Sequence, residues 1–211
     1  MNLARLLPDE IVSACPARQS DRRKPDRRCW PPPDQPIRRV ARDMFSQLFT
    51  FRRELPKDDP VIEALHREVF GPGRFARAAF RLREGIPHHP DVSFVALNDG
   101  RIVASVRLTP ILIGTLPALF LGPLVVAPEF KGRGAGKGLV RLSLETAKNA
   151  GHRLVLLVGD EPYYGPLGFA RLPPYAVTLP GPVDPTRVLV ASLAPNAAIG
   201  LHGRARKVSG D

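Results

Sequence analysis

Cysteine is nearly absent from this chain of 211 residues. The two cysteines, Cys15 and Cys29, both precede the part of the chain that has a regular apolar pattern. They can supply neither a disulfide framework nor a thiolate metal cluster for that part. The Arg22-Arg23-Lys24 run is not followed by an apolar stretch, which argues against a secretory or twin-arginine signal. We therefore expect a cytoplasmic protein.

Uninterrupted hydrophobic runs are missing as well. Residues 108–127 contain no charged side chain and are about as long as a membrane-spanning helix. Pro110, Gly114, Pro117 and Pro123 interrupt them, and a lipid-exposed helix tolerates such residues poorly. We predict two buried strands joined by a turn near Gly114, and no membrane partner.

Acidic side chains are in the minority, because 20 Asp and Glu face 31 Lys and Arg, which gives a net charge of +11. Such a surface favours anionic partners, including phosphates and nucleic acids. However, only ten of the basic residues lie in residues 1–45, and no motif interleaves aromatic with basic residues for base stacking. The sequence therefore gives little support to a basic nucleic-acid-binding module, which we keep as a third hypothesis after the two described below.

The composition changes along the chain. Residues 1–43 are rich in proline and in charges of both signs, and they lack a sustained apolar period. Such a segment buries too little apolar surface to offset the entropy of ordering it. We predict a disordered basic segment over residues 1–43, one domain over 44–198 and a flexible basic tail over 199–211.

The apolar pattern of the domain predicts a mixed α/β fold with a mostly antiparallel sheet. An acidic start with Pro60 in the first turn and a stop at Gly71 delimit the first helix, and Asp99-Gly100 favours a tight hairpin turn. The predicted strands cover residues 47–53, 92–97, 102–113, 118–126, 153–158, 175–179 and 187–193. The predicted helices cover residues 58–70, 74–84 and 134–150, with helical turns at 162–167.

The most informative stretch, residues 121–139, reads as a strand, a glycine-rich turn and a helix. Gly132, Gly134 and Gly136 let successive amide groups converge on an anion at the positive end of the helix. This arrangement predicts a pyrophosphate site, to which the side chains of Lys131 and Arg133 can add positive charge. Lys137 can do the same.

Two other phosphate-binding motifs fit this turn poorly. A Walker loop requires Ser or Thr after Gly-Lys, but Gly138 follows Gly136-Lys137. A dinucleotide-binding G-x-G-x-x-G pattern cannot be laid over residues 132–139, and it would follow the first strand of a parallel unit. Here an antiparallel meander comes first.

Two motifs in this order resemble the GCN5-related N-acetyltransferase (GNAT) family, specifically its small bacterial branch. The segment Lys131-Gly132-Arg133-Gly134-Ala135-Gly136 matches the family's coenzyme A signature Q/R-x-x-G-x-G/A, with lysine in the first place. The segment Tyr164-Gly165-Pro166-Leu167-Gly168-Phe169 is similar to a second family signature, a tyrosine three residues before Gly-Phe. The resemblance covers about residues 46–195.

The resemblance implies a sheet whose fourth and fifth strands, residues 118–126 and 153–158, splay apart around acetyl-CoA. It implies that backbone groups of Leu124, Val125 and Val126 bind the pantetheine. It also implies that the pyrophosphate binds the backbone N–H groups of Lys131, Gly132, Arg133, Gly134, Ala135 and Gly136. Acetyl-CoA is thus the expected co-substrate, and no metal is expected.

The function that the resemblance implies is transfer of an acetyl group to an amine of a small molecule or peptide, by a monomer or homodimer. Tyr164 is the candidate general acid for the departing thiolate. The base stays open among Glu84, His88, His89, Asp91 and Asp160, or ordered water takes the proton. We expect the acceptor groove at residues 75–84 and 173–185. A non-catalytic acetyl-CoA sensor is the second hypothesis.

Overall fold

The computed structural model describes residues 48–72 and 78–208. The predicted disordered segment, residues 1–43, lies outside these residues, as does most of the first turn predicted for the second helix. In the described part, no helix combines the length and the apolar character needed to cross a bilayer.

A mixed sheet forms the centre of the domain. Its strands run in the order β1-β2-β3-β4-β5-β8-β6, and β9 lies beside the far end of β3 with β7 next to it. The strands of the described residues are β1 (Thr50–Arg53), β2 (Phe94–Asn98), β3 (Arg101–Ile113), β4 (Leu116–Val126), β5 (Leu154–Val158), β6 (Phe169–Arg171), β7 (Val177–Thr178), β8 (Val188–Ser192) and β9 (Gly203–Lys207).

Antiparallel pairing dominates this sheet, as predicted. The turn between β2 and β3 places Asp99 at φ 47° and Gly100 at φ 78°, the left-handed pair that the Asp-Gly step predicts for a tight hairpin. The long β3–β4 hairpin accounts for the uncharged stretch, because both strands are largely buried. The prediction of two buried strands in place of a membrane helix is therefore confirmed.

Strands β4 and β5 meet over a short distance only. They pair in parallel through Leu119 with Val155 and Phe120 with Leu156. Beyond these residues β4 continues along β3 to Val126, while β5 continues along β8 to Val158. The predicted splay of these two strands is confirmed, and it leaves a gap in the middle of the sheet.

Four helices accompany the described strands: α1 (Asp59–Phe70), α2 (Ala78–Arg83), α3 (Ala135–Asn149) and α4 (Glu161–Tyr164). Helix α1 has Pro60 in its first turn and ends at Gly71, whose φ of 62° favours glycine. Helix α3 begins after Gly134 and gives way near Gly151, two glycines that also have positive φ angles. Glycines thus lie at the end of α1 and at both ends of α3, as predicted.

The core lies on both faces of the sheet. Val155 and Leu157 of β5 belong to the buried cluster that contains Leu139 of α3, whereas Leu154 and Leu156 belong to a second cluster. A strand buried on both faces needs no polar alternation, which explains the wholly apolar sequence of β5. The gap beside β5 is therefore bounded by rigid, densely packed elements.

The C-terminal region differs from the prediction. Residues 199–211 were expected to form a flexible tail, but Gly203–Lys207 form strand β9, and residues 205–207 pair with residues 111–113 of β3. Ala205 is buried between the exposed Arg204 and Arg206, so the strand has one apolar residue on its inner face. The short strand β6, Phe169–Arg171, was not predicted.

Candidate active site

The glycine-rich turn leads into α3 with the geometry that an anion site requires. Gly132 and Gly134 have φ angles of 76° and 95°, which residues with a side chain rarely adopt. Within the described residues, the backbone N–H groups of Gly132, Gly134, Ala135 and Gly136 donate to no backbone carbonyl. Unpaired N–H groups at the positive end of a 15-residue helix attract an anion.

The start of α3 packs closely against β4. A Cβ atom added at Gly136 would lie 2.7 Å from the Tyr163 Oη and 3.3 Å from a methyl carbon of Val126. The Lys137 Nζ lies 5.8 Å from the centre of the Tyr163 ring, within cation–π range. Lys131 and Arg133 are exposed beside the turn. Glycine at 136 therefore lets the helix start approach the strand.

The second predicted binding segment is the end of β4. Leu124, Val125 and Val126 pair with Val106, Ser105 and Ala104 of β3, which satisfies one edge of the strand. On the opposite edge β5 pairs only with Leu119 and Phe120. The described residues thus leave the edge at 124–126 without a strand partner, and an extended ligand with amide groups can hydrogen-bond there.

Tyr164 lies at the end of α4, next to the gap. Its ring centre is 4.8 Å from that of Tyr163 and 5.7 Å from that of Phe169, both edge-on. Burial, with smaller contributions from Tyr163 and Asp160, raises the pKa of the Tyr164 phenol above its ordinary value of 10.0. The hydroxyl is consequently neutral at pH 7 and can donate a hydrogen bond.

A cavity of about 510 Å³ opens at the gap between β4 and β5. Tyr164 and Leu124 line it, and α1 and α2 supply much of the opposite wall. Among the candidate bases, Glu84, His88 and Asp160 line the cavity, whereas His89 and Asp91 do not. Of the residues predicted for the acceptor groove, Ala79, Phe80, Arg83 and Glu84 line this cavity, whereas none of residues 173–185 does.

A charged network at the cavity wall was not predicted. The Arg107 Nε donates to both carboxylate oxygens of Glu54, at 2.9 and 3.0 Å, and the Arg107 Nη2 lies 2.6 Å from the Asp59 Oδ1. The Glu54 side chain is only 2% exposed, so this pair is withdrawn from water. A local sequence pattern cannot predict this pair, because Arg107 and Glu54 are 53 positions apart in the sequence.

Two histidines stand near this network. The His66 Nδ1 lies 3.2 Å from the Glu63 Oε1, and the His88 Nε2 lies 3.5 Å from the Glu54 Oε1. Burial lowers the pKa of both imidazoles despite these carboxylates. In the described part of the chain, no three His, Cys, Asp or Glu side chains are placed to hold a metal ion.

Comparison with known proteins identifies the class. Residues 59–169 match the model of the Acetyltransferase (GNAT) family, and this match covers more than half of the chain. The chain belongs to this family, and it is a GNAT-type N-acetyltransferase, in agreement with the resemblance of its two sequence motifs.

Two bacterial proteins are similar to this chain in sequence. The uncharacterized N-acetyltransferase YhbS of Escherichia coli K12 is 28% identical over 155 residues, which cover 72% of this chain and 92% of YhbS. The uncharacterized N-acetyltransferase YjhQ of the same strain is 29% identical over 125 residues, 57% of this chain and 69% of YjhQ.

Two solved structures are similar to most of the chain. The crystal structure of Escherichia coli YhbS in complex with CoA has a TM-score of 0.66 and 26% identity, and the match covers 76% of this chain and 90% of that one. A GNAT family acetyltransferase from Brucella melitensis in complex with acetyl-CoA has a TM-score of 0.51 and 27% identity, with coverage of 70% and 89%.

Proposed function

We propose that this protein transfers the acetyl group of acetyl-CoA to an amine of a small molecule or peptide. The gap between β4 and β5 carries this proposal, because an anion site at one end and a cavity with Tyr164 at the other border the same strand. The YhbS and Brucella structures contain CoA and acetyl-CoA, respectively, which supports the choice of co-substrate.

The residues of the gap fit this co-substrate. Backbone groups of Leu124, Val125 and Val126 would pair with the amide groups of pantetheine, as a neighbouring strand does. Of the six N–H groups predicted at residues 131–136, those of Lys131 and Arg133 already donate to the carbonyl oxygens of Pro128 and Phe130. The backbone N–H groups of Gly132, Gly134, Ala135 and Gly136 would therefore hold the pyrophosphate, and the side chains of Lys131 and Arg133 would add positive charge. Contacts made by the backbone tolerate a change of side chain, so lysine in the first place of the motif is compatible with binding. When bound, acetyl-CoA supplies an acetyl group activated as a thioester.

Tyr164 would assist the departing sulfur. Its raised pKa keeps the proton on the phenol through the usual assay range, so the hydroxyl is always a donor there. A thiol has an unperturbed pKa of about 8.5, well below that of this phenol. Full proton transfer to the thiolate is therefore uphill, and the hydroxyl acts mainly by donating a hydrogen bond to the developing negative charge.

The acceptor amine must lose a proton, and three of the candidate bases line the cavity. Glu84 and Asp160 are carboxylates, and burial holds the pKa of His88 below its ordinary value, so that His88 is neutral at pH 7. We assign the role to none of them, because ordered water can also carry the proton from an amine to the solvent.

The turnover test uses Tyr164→Phe, which removes one hydroxyl and little volume. We expect kcat for thiol release to fall roughly 10²- to 10³-fold, the usual cost of removing one hydrogen-bond donor from a developing negative charge, with an unchanged KM for acetyl-CoA. The loss should be smaller with acyl donors whose leaving thiolate is less basic. Unchanged turnover in the folded variant would mean that Tyr164 only packs against its neighbours, whereas a wild type that binds acetyl-CoA and releases no thiol would favour the non-catalytic sensor.

The binding test uses Gly134→Glu, which puts a negative charge at the expected pyrophosphate site. Gly151→Glu is its control, because Gly151 at the other end of α3 has a similar φ, 86° against 95°, and takes the same charge and backbone strain. Calorimetry should show weaker acetyl-CoA binding for the first variant only. Equal affinities would mean that the pyrophosphate does not bind at this turn.

A further inference from the structure

Arg83, the last residue of α2, has a guanidinium group with unused donors. Its Nε donates to the carbonyl oxygen of Ala79 at 2.9 Å, which fixes the plane of the group. Among the described residues, no carboxylate forms an ion pair with Arg83 within 4.0 Å, although Glu63 is close enough to attract it. The two terminal nitrogens therefore have no protein acceptor there.

Arg107 lines the same cavity but, unlike Arg83, is surrounded by carboxylates. Glu54 binds it at two oxygens, Asp59 lies 2.6 Å from its Nη2, and Glu63 lies 3.6 Å from its Nη1. Its charge is thus compensated by the protein. Among the described residues, Arg83 has only the weaker attraction of Glu63, and burial together with repulsion from Arg107 lowers its pKa to about 10. The group stays charged at neutral pH, and no carboxylate of the described residues lies within 4.0 Å of it.

A mostly buried arginine without a carboxylate partner is uncommon, since charges withdrawn from water are normally paired. Its planar fork matches the two oxygens of a carboxylate or phosphate. The group lines the cavity that also contains Tyr164, and about 510 Å³ accommodates a small molecule or the end of a peptide. The missing counter-ion can therefore come from the acceptor itself.

We propose that Arg83 selects an acceptor amine that also carries an anionic group, a carboxylate or a phosphate, and binds that group while the amine lies near Tyr164. This inference rests on the proposed acetyl transfer and narrows its substrate class. Glu84 and Asp160 on the lining provide the complementary negative charge for an ammonium group, so the cavity suits a zwitterion.

The experiment compares matched amines in the thiol-release assay with the full chain. The carboxylate pairs are L-phenylalanine with 2-phenylethylamine, L-leucine with 3-methylbutylamine, and L-lysine with cadaverine. Phosphoethanolamine with ethanolamine forms the phosphate pair and separates the two anion sources. The variants are Arg83→Gln, Arg83→Lys and the control Arg81→Gln, which removes the same charge from an exposed position of α2.

We expect the wild type to prefer the anionic member of each pair that it accepts. Arg83→Gln should raise the KM of that member roughly 10- to 150-fold, the worth of a hydrogen bond to a charged group. Arg83→Lys should raise this KM less than Arg83→Gln does, and Arg81→Gln should leave it at the wild-type value. The KM of acetyl-CoA and the rates with anion-free amines should stay at wild-type values in every variant.

Equal losses with anionic and anion-free amines would mean that Arg83 only supports the fold, and a wild type that prefers anion-free amines would overturn the inference as well. Both results leave acetyl transfer standing. If neither class of amine causes thiol release, the proposed function and this inference are both overturned.

Discussion

Gly159 offers the sharpest test of the geometry around Tyr164. This glycine directly follows β5, and its φ lies outside the left-handed region, so alanine fits its backbone. The added Cβ, however, would lie 2.4 and 2.8 Å from two ring carbons of Tyr164 and 3.0 Å from a methyl carbon of Leu157. Contacts this short cannot exist, so either the Tyr164 ring or the backbone around residue 159 must shift.

The expected magnitude follows from the two ways in which the clash can be relieved. If the ring stays, overpacking costs about 1–3 kcal/mol, and at about 2–4 °C per kcal/mol the Tm falls by several degrees. If the ring moves by about 1 Å, the hydroxyl is misplaced and kcat falls by up to about 10²-fold. We expect both effects in part, with a kcat loss of about 10-fold or more.

The control is Gly165→Ala, one position after Tyr164. A Cβ there would meet only the Glu161 side chain, at an ordinary 3.7 Å. The assays are thiol release with a saturating amine and thermal unfolding of both variants. Wild-type kcat and Tm in Gly159→Ala would refute the close packing of Tyr164 on β5. In a Tyr164→Leu background, the Gly159 substitution should lose most of its cost in stability.

Two further predictions concern stability. The pKa of the buried His66 is lowered from 6.5, so its neutral imidazole contributes stability that is complete above pH 6.5 and lost as the pH falls through the folded-state pKa. The variant His66→Gln should flatten this decline in the free energy of unfolding, measured by urea titration at each pH. An unchanged slope would contradict this prediction. Ala205→Asp buries a charge in β9 and should lower the Tm by several degrees, whereas a flexible tail would leave the Tm unchanged.

The parts that the sequence predicted are those with local causes. The left-handed glycines at 132 and 134, the Asp99-Gly100 turn and the wholly apolar β5 each depend on neighbouring residues. Strand β9 depends instead on pairing with β3, which is about 90 residues away, and its basic residues hide the single buried Ala205. A pattern search in this segment finds charge and no apolar period.

The cavity wall was beyond the reach of sequence for the same reason. The Arg107–Glu54 pair joins positions 53 residues apart, and neither residue stands in a motif. Arg83 looks like an ordinary basic residue at the end of a helix, where cations are favoured in any case. What distinguishes Arg83 is that carboxylates pair with Arg107 and none of the described residues pairs with Arg83 in this way. This difference is visible only in the folded chain.

The open edge of β4 would let one ligand span both ends of the proposed site. Exposed strand edges invite pairing with other chains, and this edge lies inside the sheet, because β5 is the next strand in the sheet order. A Cβ at Gly136 would lie 3.3 Å from a methyl carbon of Val126, so the start of α3, the proposed anion site, lies directly against the edge of β4. A bulky residue at 136 would therefore separate these two parts, and acetyl-CoA affinity should fall even though the backbone N–H groups of the turn are retained.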